Sequence, residues 1–367
     1  MPTDAAAALA ALPLPEPSAG LAAYRAERER RLAGDPRCAA NYARYQQAAR
    51  RAAAIDYLPI KLDIENVSRC NYACTMCPVS EWPKGRRAAD LALADFERLI
   101  DEQYGLVEIK LQGMGEPTLQ REVFFAMIRH ARARHIWVRT TTNASLLHLA
   151  DNHAKLVDSG VNEIQVSVDG ADPETYQAIR RRGRFARVAA NCRLLNDTCA
   201  ARGVVLTKMW VVAQRANRHQ LPELVDLAAA LGFRHLVFAL SLTDFGSADW
   251  RARNDAVAVT DTVTADDGRA LVARGARRGV RVAFWFVGDK YRAGVPETLC
   301  PWPFERAFVA SDLRVVPCCT LGSPEVSDLG PAAPSFSATW FGDAMTAFRR
   351  AHLSGPIPDV CRRCYGA

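Results

Sequence analysis

The sequence predicts an α/β fold: a partial, TIM-like (β/α)6 barrel over residues 59–240, with N-terminal helices before it and a small C-terminal Cys-rich cluster domain after it. Three observations predict it. From residue 59, short apolar segments alternate with longer amphipathic ones in six strand–helix units, the pattern of a parallel sheet with right-handed crossovers. The strand segments are polar at every second position, so one sheet face is polar and becomes a lumen if the sheet curls. After residue 300, cysteines recur among short apolar runs.

Taken in order, residues 1–20 are rich in Ala and Pro and read as a disordered tail. Residues 21–58 read as helices interrupted at Gly34-Asp35-Pro36. Tyr24, Leu32, Tyr42 and Tyr45 form their apolar stripe, the arginines a solvated face, and Cys38 stands alone. Candidate strands follow at 60–66, 106–112, 136–142, 162–168, 204–211 and 235–240. Helical stretches lie near 91–104, 121–134, 146–159, 185–202 and 219–231. Gly160, Gly203 and Gly232 each precede a strand, as helix C-caps should. Residues 241–299 read as a connecting segment, irregular over 241–262, helical over 264–279 and extended over 280–287. The Cys-bearing module spans 300–367, with a helix from Phe341 to Leu353.

The polar face runs through Asp63 and Glu65, then Glu108, Lys110 and Gln112. It continues through Arg139, Thr141 and Asn143, then Glu163, Gln165, Ser167 and Asp169, then Lys208 and Trp210. Such a lumen suits a hydroxylated or charged ligand. Lys61, Glu108 and Glu163 at the strand bottoms are expected to pair with one another, and function is expected at the strand C-termini.

Composition limits the alternatives. Of 367 residues, 49% are hydrophobic, enough for a large domain plus a smaller one. The net charge of +7 is spread out, with no basic–aromatic block, so no nucleic-acid partner is expected. No membrane span is present, and Pro13, Pro15 and Pro17 break any signal-like apolar run. Eleven cysteines in clustered spacings then point to metal chemistry in a reducing, cytoplasmic setting rather than to disulfides.

Cys70, Cys74 and Cys77 have the spacing C-x3-C-x2-C in the loop after the first strand. Three thiolates leave a coordination position open on a zinc ion, or one iron of a 4Fe–4S cluster free for another ligand. After the second strand comes Gly113-Met114-Gly115-Glu116-Pro117, whose glycines permit close approach and whose carboxylate accepts an ammonium group. Thr141-Thr142-Asn143 follows the third strand, and Ser167-Val168-Asp169-Gly170, suited to a ribose, the fourth.

On these residues the chain resembles the radical S-adenosylmethionine (SAM) superfamily over roughly residues 58–240. The resemblance implies that Cys70, Cys74 and Cys77 bind a 4Fe–4S cluster whose open iron takes the amino and carboxylate groups of SAM. It implies that Gly113, Gly115, Glu116 and Pro117 form the turn holding the SAM amino group. Asn143, Ser167 and Asp169 would contact the nucleoside, and Arg180 the SAM carboxylate. Met114 replaces a usual first glycine of the turn, and Met76 an aromatic before the last cysteine. The implied chemistry is reductive cleavage of SAM to methionine and a 5′-deoxyadenosyl radical that abstracts a substrate hydrogen. A flavodoxin- or ferredoxin-type electron donor is expected.

Cys300, Cys318-Cys319 and Cys361-x2-Cys364 make a second set, which zinc could also occupy by spacing. The segment resembles the SPASM domain, implying an auxiliary 4Fe–4S cluster on Cys300, Cys318, Cys361 and Cys364, with Cys319 able to replace Cys318. Cys319 is also the candidate hydrogen donor, whereas Cys192 and Cys199, at i,i+7 on one helix, read as packing residues. Glu65, Gln112, Arg139, Gln165 and Lys208 are the candidate substrate-holding residues. The expected substrate is a polar small molecule (a sugar, aminocyclitol or nucleoside of secondary metabolism), oxidised or epimerised at a carbinol. Decarboxylation, dehydration or peptide modification stand as alternatives.

Overall fold

The computed structural model describes residues 9, 11–82, 89–286 and 290–366. Its strands are β1 (Lys61–Ile64), β2 (Ala73–Cys74), β3 (Glu108–Leu111), β4 (Trp137–Thr142), β5 (Glu163–Ser167), β6 (Arg180–Arg181), β7 (Thr207–Val212), β8 (His235–Ala239), β9 (Arg281–Trp285), β10 (Arg306–Val309), β11 (Arg314–Val316) and β12 (Gly330–Pro331). Ten of them form one sheet in the order β12-β11-β10-β1-β3-β4-β5-β7-β8-β9, and β2 pairs with β6. The six expected strands are β1, β3, β4, β5, β7 and β8, parallel throughout. Their outward residues, such as Ile64, Ile109, Val138, Ile164 and Met209, are fully buried in one core beneath the helices. Gly160, Gly203 and Gly232 have φ of 83°, 67° and 83°, the left-handed value their cap position needs.

Four features depart from the expectation. The parallel array does not stop at residue 240: β9 continues it beside β8, burying Val282 and Phe284, so part of the connecting segment belongs to the barrel. Within the stretch read as irregular, Ala248–Val257 is helical, started by Ser247, whose side chain accepts from Trp250 N. The C-terminal domain is not separate either. Its β10 pairs in parallel with the whole of β1, in register Lys61↔Arg306 to Ile64↔Val309, so it extends the same sheet.

The fourth departure is the N-terminus. Residues 11–20 are not a loose tail. Leu12 is buried, the Pro13 carbonyl accepts from Phe284 N (2.8 Å), and the Glu16 carbonyl accepts from Lys208 Nζ (2.6 Å). Ser18 N donates to Glu163 Oε2 (3.3 Å). This strap crosses the N-terminal ends of the strands and uses main-chain groups, so it leaves no side-chain periodicity to read. The helices Leu21–Gly34 and Pro36–Ala48 follow, broken where expected, with Asp35 capping the second.

The strand bottoms are ion-paired, but Lys61, Glu108 and Glu163 pair with other residues rather than with one another. Glu108 accepts from Arg139 (3.1 Å) and from the Tyr24 hydroxyl (2.9 Å). Glu163 lies 2.9 Å from Lys208 and 3.5 Å from Arg139. Glu305 lies 3.4 Å from Lys61, and Asp63 lies 3.5 Å from Arg306.

Candidate functional site

The first three cysteines line one cavity of about 300 Å3 at the C-terminal end of the strands, walled by Tyr72, Met76, Trp210, Phe245 and Trp285. Cys74 lies in β2, whose partner in register is Arg180 of β6, so this two-residue ladder fixes the middle cysteine. Tyr72 N donates to Cys70 Sγ (3.4 Å), and the backbone turns tightly through Cys77 N→Cys74 O (3.2 Å). Burial pushes the Cys70 and Cys77 thiols up to about 12 and raises Cys74 as well. All three are therefore protonated on their own, and loading with a metal centre releases protons.

Gly113 and Gly115 face this cavity, but packing also demands them. A Cβ on Gly113 would stand 2.0 Å from the Glu65 side chain, and one on Gly115 would stand 2.3 Å from the Arg69 carbonyl. Glu116 does not offer a free carboxylate. It accepts from Thr118 Oγ1 and Thr142 Oγ1 (2.7 Å each) and from Asn143 N (2.7 Å), clasping the turn to the end of β4. A ligand's ammonium would therefore meet the carbonyls of the turn. Pro117 is buried and its carbonyl accepts from Asn66 Nδ2 (3.1 Å), so it shapes the turn rather than facing a ligand.

Asp169 is not open to a ligand either. It is fully buried, with Oδ1 accepting from Val212 N (2.8 Å) and Oδ2 2.8 Å from Arg180 Nε. It holds Arg180 rather than a ribose. Arg180 reaches the cavity and donates toward Cys74 Sγ (3.9 Å). Ser167 and Asn143 line the cavity. The Asn143 amide donates to Asn71 Oδ1 (3.0 Å) and approaches Cys70 Sγ (3.9 Å), so it steadies the cysteine loop.

The C-terminal cysteines converge from three elements. Cys300 precedes the helix Trp302–Glu305, Cys318 follows β11, and Cys361 and Cys364 lie on the last turns. Leu299, Phe304 and Tyr365 form the apolar base against which Cys300, Cys361 and Cys364 pack, and Cys318 packs beside Phe308 and Val316. All four cysteines line one wall of the same cavity. Cys319 points elsewhere. It is exposed on the wall of the lumen, where Asp63, Lys110 and Arg306 are its charged neighbours. Cys300, Cys318, Cys361 and Cys364 thus form the fitting four-thiol set. Among the described residues no three His, Cys, Asp or Glu side chains close tightly on a single metal ion. Cys38, Cys192 and Cys199 are buried packing residues.

Between the two cysteine sets lies a lumen cavity of about 690 Å3 that shares Gln112, Thr141, Ser167, Trp210 and Trp285 with the first cavity. Gln112 and Gln165 face it, and Gln165 Oε1 accepts from Thr141 Oγ1 (3.0 Å). Arg139 faces it too but is held by Glu108 and Glu163. Lys208 is consumed by Glu163 and the N-terminal strap, and Glu65 by Met114 N (2.8 Å) and Ser311 N (3.1 Å), so neither is placed to hold a substrate. Trp210, read on the polar face, is an aromatic wall of both cavities, and so is Trp285, which the sequence showed only as part of an extended stretch. Trp210 stands two residues after Lys208 on the polar face, and that spacing was the available signal.

Residues 66–232 match the radical SAM superfamily, and residues 300–365 match the SPASM iron–sulfur cluster-binding domain. The chain is 24% identical over 312 residues to the PqqA peptide cyclase of Rhodopseudomonas palustris, covering 84% of this chain and 79% of that one. It is 31% identical over 196 residues to the mycofactocin maturase MftC of Mycolicibacterium smegmatis, covering 52% of this chain and 47% of that one, about half its length. Its fold is similar to that of Streptococcus suis SuiB bound to the precursor peptide SuiA, with a TM-score of 0.57 at 17% identity over 81% of this chain and 68% of that one. Among the described residues no helix is long and apolar enough to cross a membrane.

Proposed function

Since this chain is a radical SAM superfamily enzyme carrying a SPASM domain, we propose that it modifies a peptide, acting on a residue inserted into the lumen between its two cysteine sets. The observation that carries this reading is the similarity to an enzyme named for a peptide substrate over 84% of the chain, a span too long for the radical SAM region alone. With a 4Fe–4S cluster on Cys70, Cys74 and Cys77 and SAM bound, the site supplies reductive cleavage of SAM and hydrogen abstraction from the substrate.

The chain's own residues supply the rest. The Gly113–Gly115 backbone and Arg180 hold the amino-acid end of SAM, and Ser167 its nucleoside. Tyr72, Trp210, Phe245 and Trp285 keep water from the reacting carbon. Gln112, whose Oε1 is buried without a hydrogen-bond partner, orients the substrate residue. Cys319 opens into the lumen from the side of the auxiliary cysteines, the place for a hydrogen donor to the opposite face. Cys300, Cys318, Cys361 and Cys364 would hold a second 4Fe–4S cluster, which would supply a relay for electrons. A flavodoxin- or ferredoxin-type protein delivers them to the first cluster.

The test is anaerobic incubation of the reconstituted enzyme with SAM, reductant and a library of synthetic peptides. Loss of two hydrogens from a peptide reports oxidation or cross-linking, and unchanged mass with one solvent deuterium reports epimerisation. Unaltered peptides alongside an altered polar metabolite would favour the second reading, a small hydroxylated substrate. One observation supports that second reading: the lumen is closed below by the strap and lined by ionic groups.

A further inference from the structure

The charges of the lumen do not balance. Asp63, Glu108, Glu163 and Glu305 each have a cation within 3.5 Å, namely Arg306, Arg139, Lys208 and Lys61. Among the described residues two lumen cations have no carboxylate partner: Lys290, whose ammonium lies over the Trp285 ring (3.5 Å), and Lys110. Lys110 lies on β3 in register with Asp63 of β1 and Arg139 of β4, and it lines the 690 Å3 cavity. Among the described residues none makes a hydrogen bond or ion pair with its ammonium, and Asp63 is turned to Arg306 instead. An ammonium that lines a cavity with no carboxylate at ion-pair distance is free to meet an anion that enters it.

The second unmet group is close by. Gln112 is two residues further along β3, roughly 7 Å up the strand, and its Oε1 is buried without a partner. Gln112 borders both cavities. The two groups thus form a ladder on one strand, a cation below and an amide above, leading up to the cysteine cavity. Cys319 faces the same cation from the auxiliary side.

We propose that Lys110 is the specificity-determining anchor of the lumen, pairing with a carboxylate on the substrate, so that the residue modified is acidic or lies beside an acidic group. The anchor places the carboxylate roughly 7 Å below the level of Gln112 and leaves the attached carbons at the boundary with the SAM cavity. This proposal rests on the reading of the lumen as the substrate site.

The test uses reconstituted, SAM-loaded enzyme titrated by calorimetry with N-acetyl-glutamate amide and with neutral N-acetyl-glutamine amide. Wild type is expected to bind the acid at least tenfold more tightly, and Lys110→Met to lose that preference. Equal binding of the two probes, no measurable binding of the acid, or a preference surviving in Lys110→Met would overturn it. Thermal melting guards against misfolding. Lys110→Met breaks no pair and is expected to melt at or above the wild-type temperature, while Lys208→Met, which strands Glu163, melts lower. A Lys110→Met variant melting as low as Lys208→Met would show a structural role and overturn the assignment. Reductive SAM cleavage without substrate does not involve Lys110. Its absence from wild type would sink the enzymatic reading, and its presence without discrimination between the probes would sink the anchor alone.

Discussion

Arg180 stands between Asp169 and Cys74, its Nε 2.8 Å from the carboxylate and its Nη1 3.9 Å from the sulfur. The pair is almost wholly enclosed, so the carboxylate fixes a positive charge against one ligand of the first cysteine set. Asp169→Ala strands that charge. It is expected to lower stability by about 3–5 kcal/mol, read by urea unfolding. It should also alter the electron paramagnetic resonance spectrum of the reduced cluster. An unchanged spectrum would mean that Arg180 does not set the field at Cys74.

Cys318 and Cys319 are neighbours in sequence but face different partners. Iron analysis separates them. Wild type should carry about eight irons per chain, and a Cys70/Cys74/Cys77→Ala variant about four and no SAM cleavage. Cys318→Ser should lose auxiliary iron, whereas Cys319→Ser should keep the wild-type content. The reverse pattern would exchange their roles.

Glu108 makes stability depend on acidity. Burial would raise its pKa, but Lys61, Arg139 and Arg306 outweigh burial and bring it from 4.5 down to about 2. A carboxyl with a depressed folded pKa stabilises the fold above its unfolded value and loses that contribution as pH falls through its folded value. The contribution, roughly 3 kcal/mol, is therefore lost between about pH 4.5 and about pH 2. Glu116 and Asp169, raised by burial, act in the opposite sense, so the measurement is a difference. Glu108→Gln should be less stable than wild type at neutral pH, and the gap should close across that window in acid unfolding.

Deleting residues 1–20 should not be silent, as loss of a loose tail would be. It exposes the surface covered by Leu12 and removes the carbonyl that Lys208 uses. A loss of at least about 2 kcal/mol is expected, visible as a lower melting temperature in scanning calorimetry. An unchanged melting temperature would mean that the strap is not stably docked.

The parallel strands, the polar lumen and both cysteine sets were legible because each has a local signature: period two, a C-cap glycine, or a fixed spacing of thiols. The helix break at Gly34-Asp35-Pro36 was legible for the same reason. What escaped depends on partners far apart in sequence. Lys208 reads as an open lumen cation until Glu16, 192 residues earlier, lies across it. Glu65 and Glu116 read as ligand carboxylates, yet main-chain amides and threonine hydroxyls consume them. No periodicity announces such clasps. Lys110 differs from its neighbours only in what it lacks, and that shows only once every other charge has a position.

The pairing of β10 along β1 bears on how the protein can be taken apart. Cutting the chain before residue 300 would not remove an appendage. It would lay bare a row of main-chain donors and acceptors on β1, beside the apolar Leu62 and Ile64, ready to capture the same edge of another molecule. A truncated enzyme would then precipitate for reasons unrelated to electron transfer. Point replacement of the four thiols leaves that seam closed and isolates what the metal itself contributes.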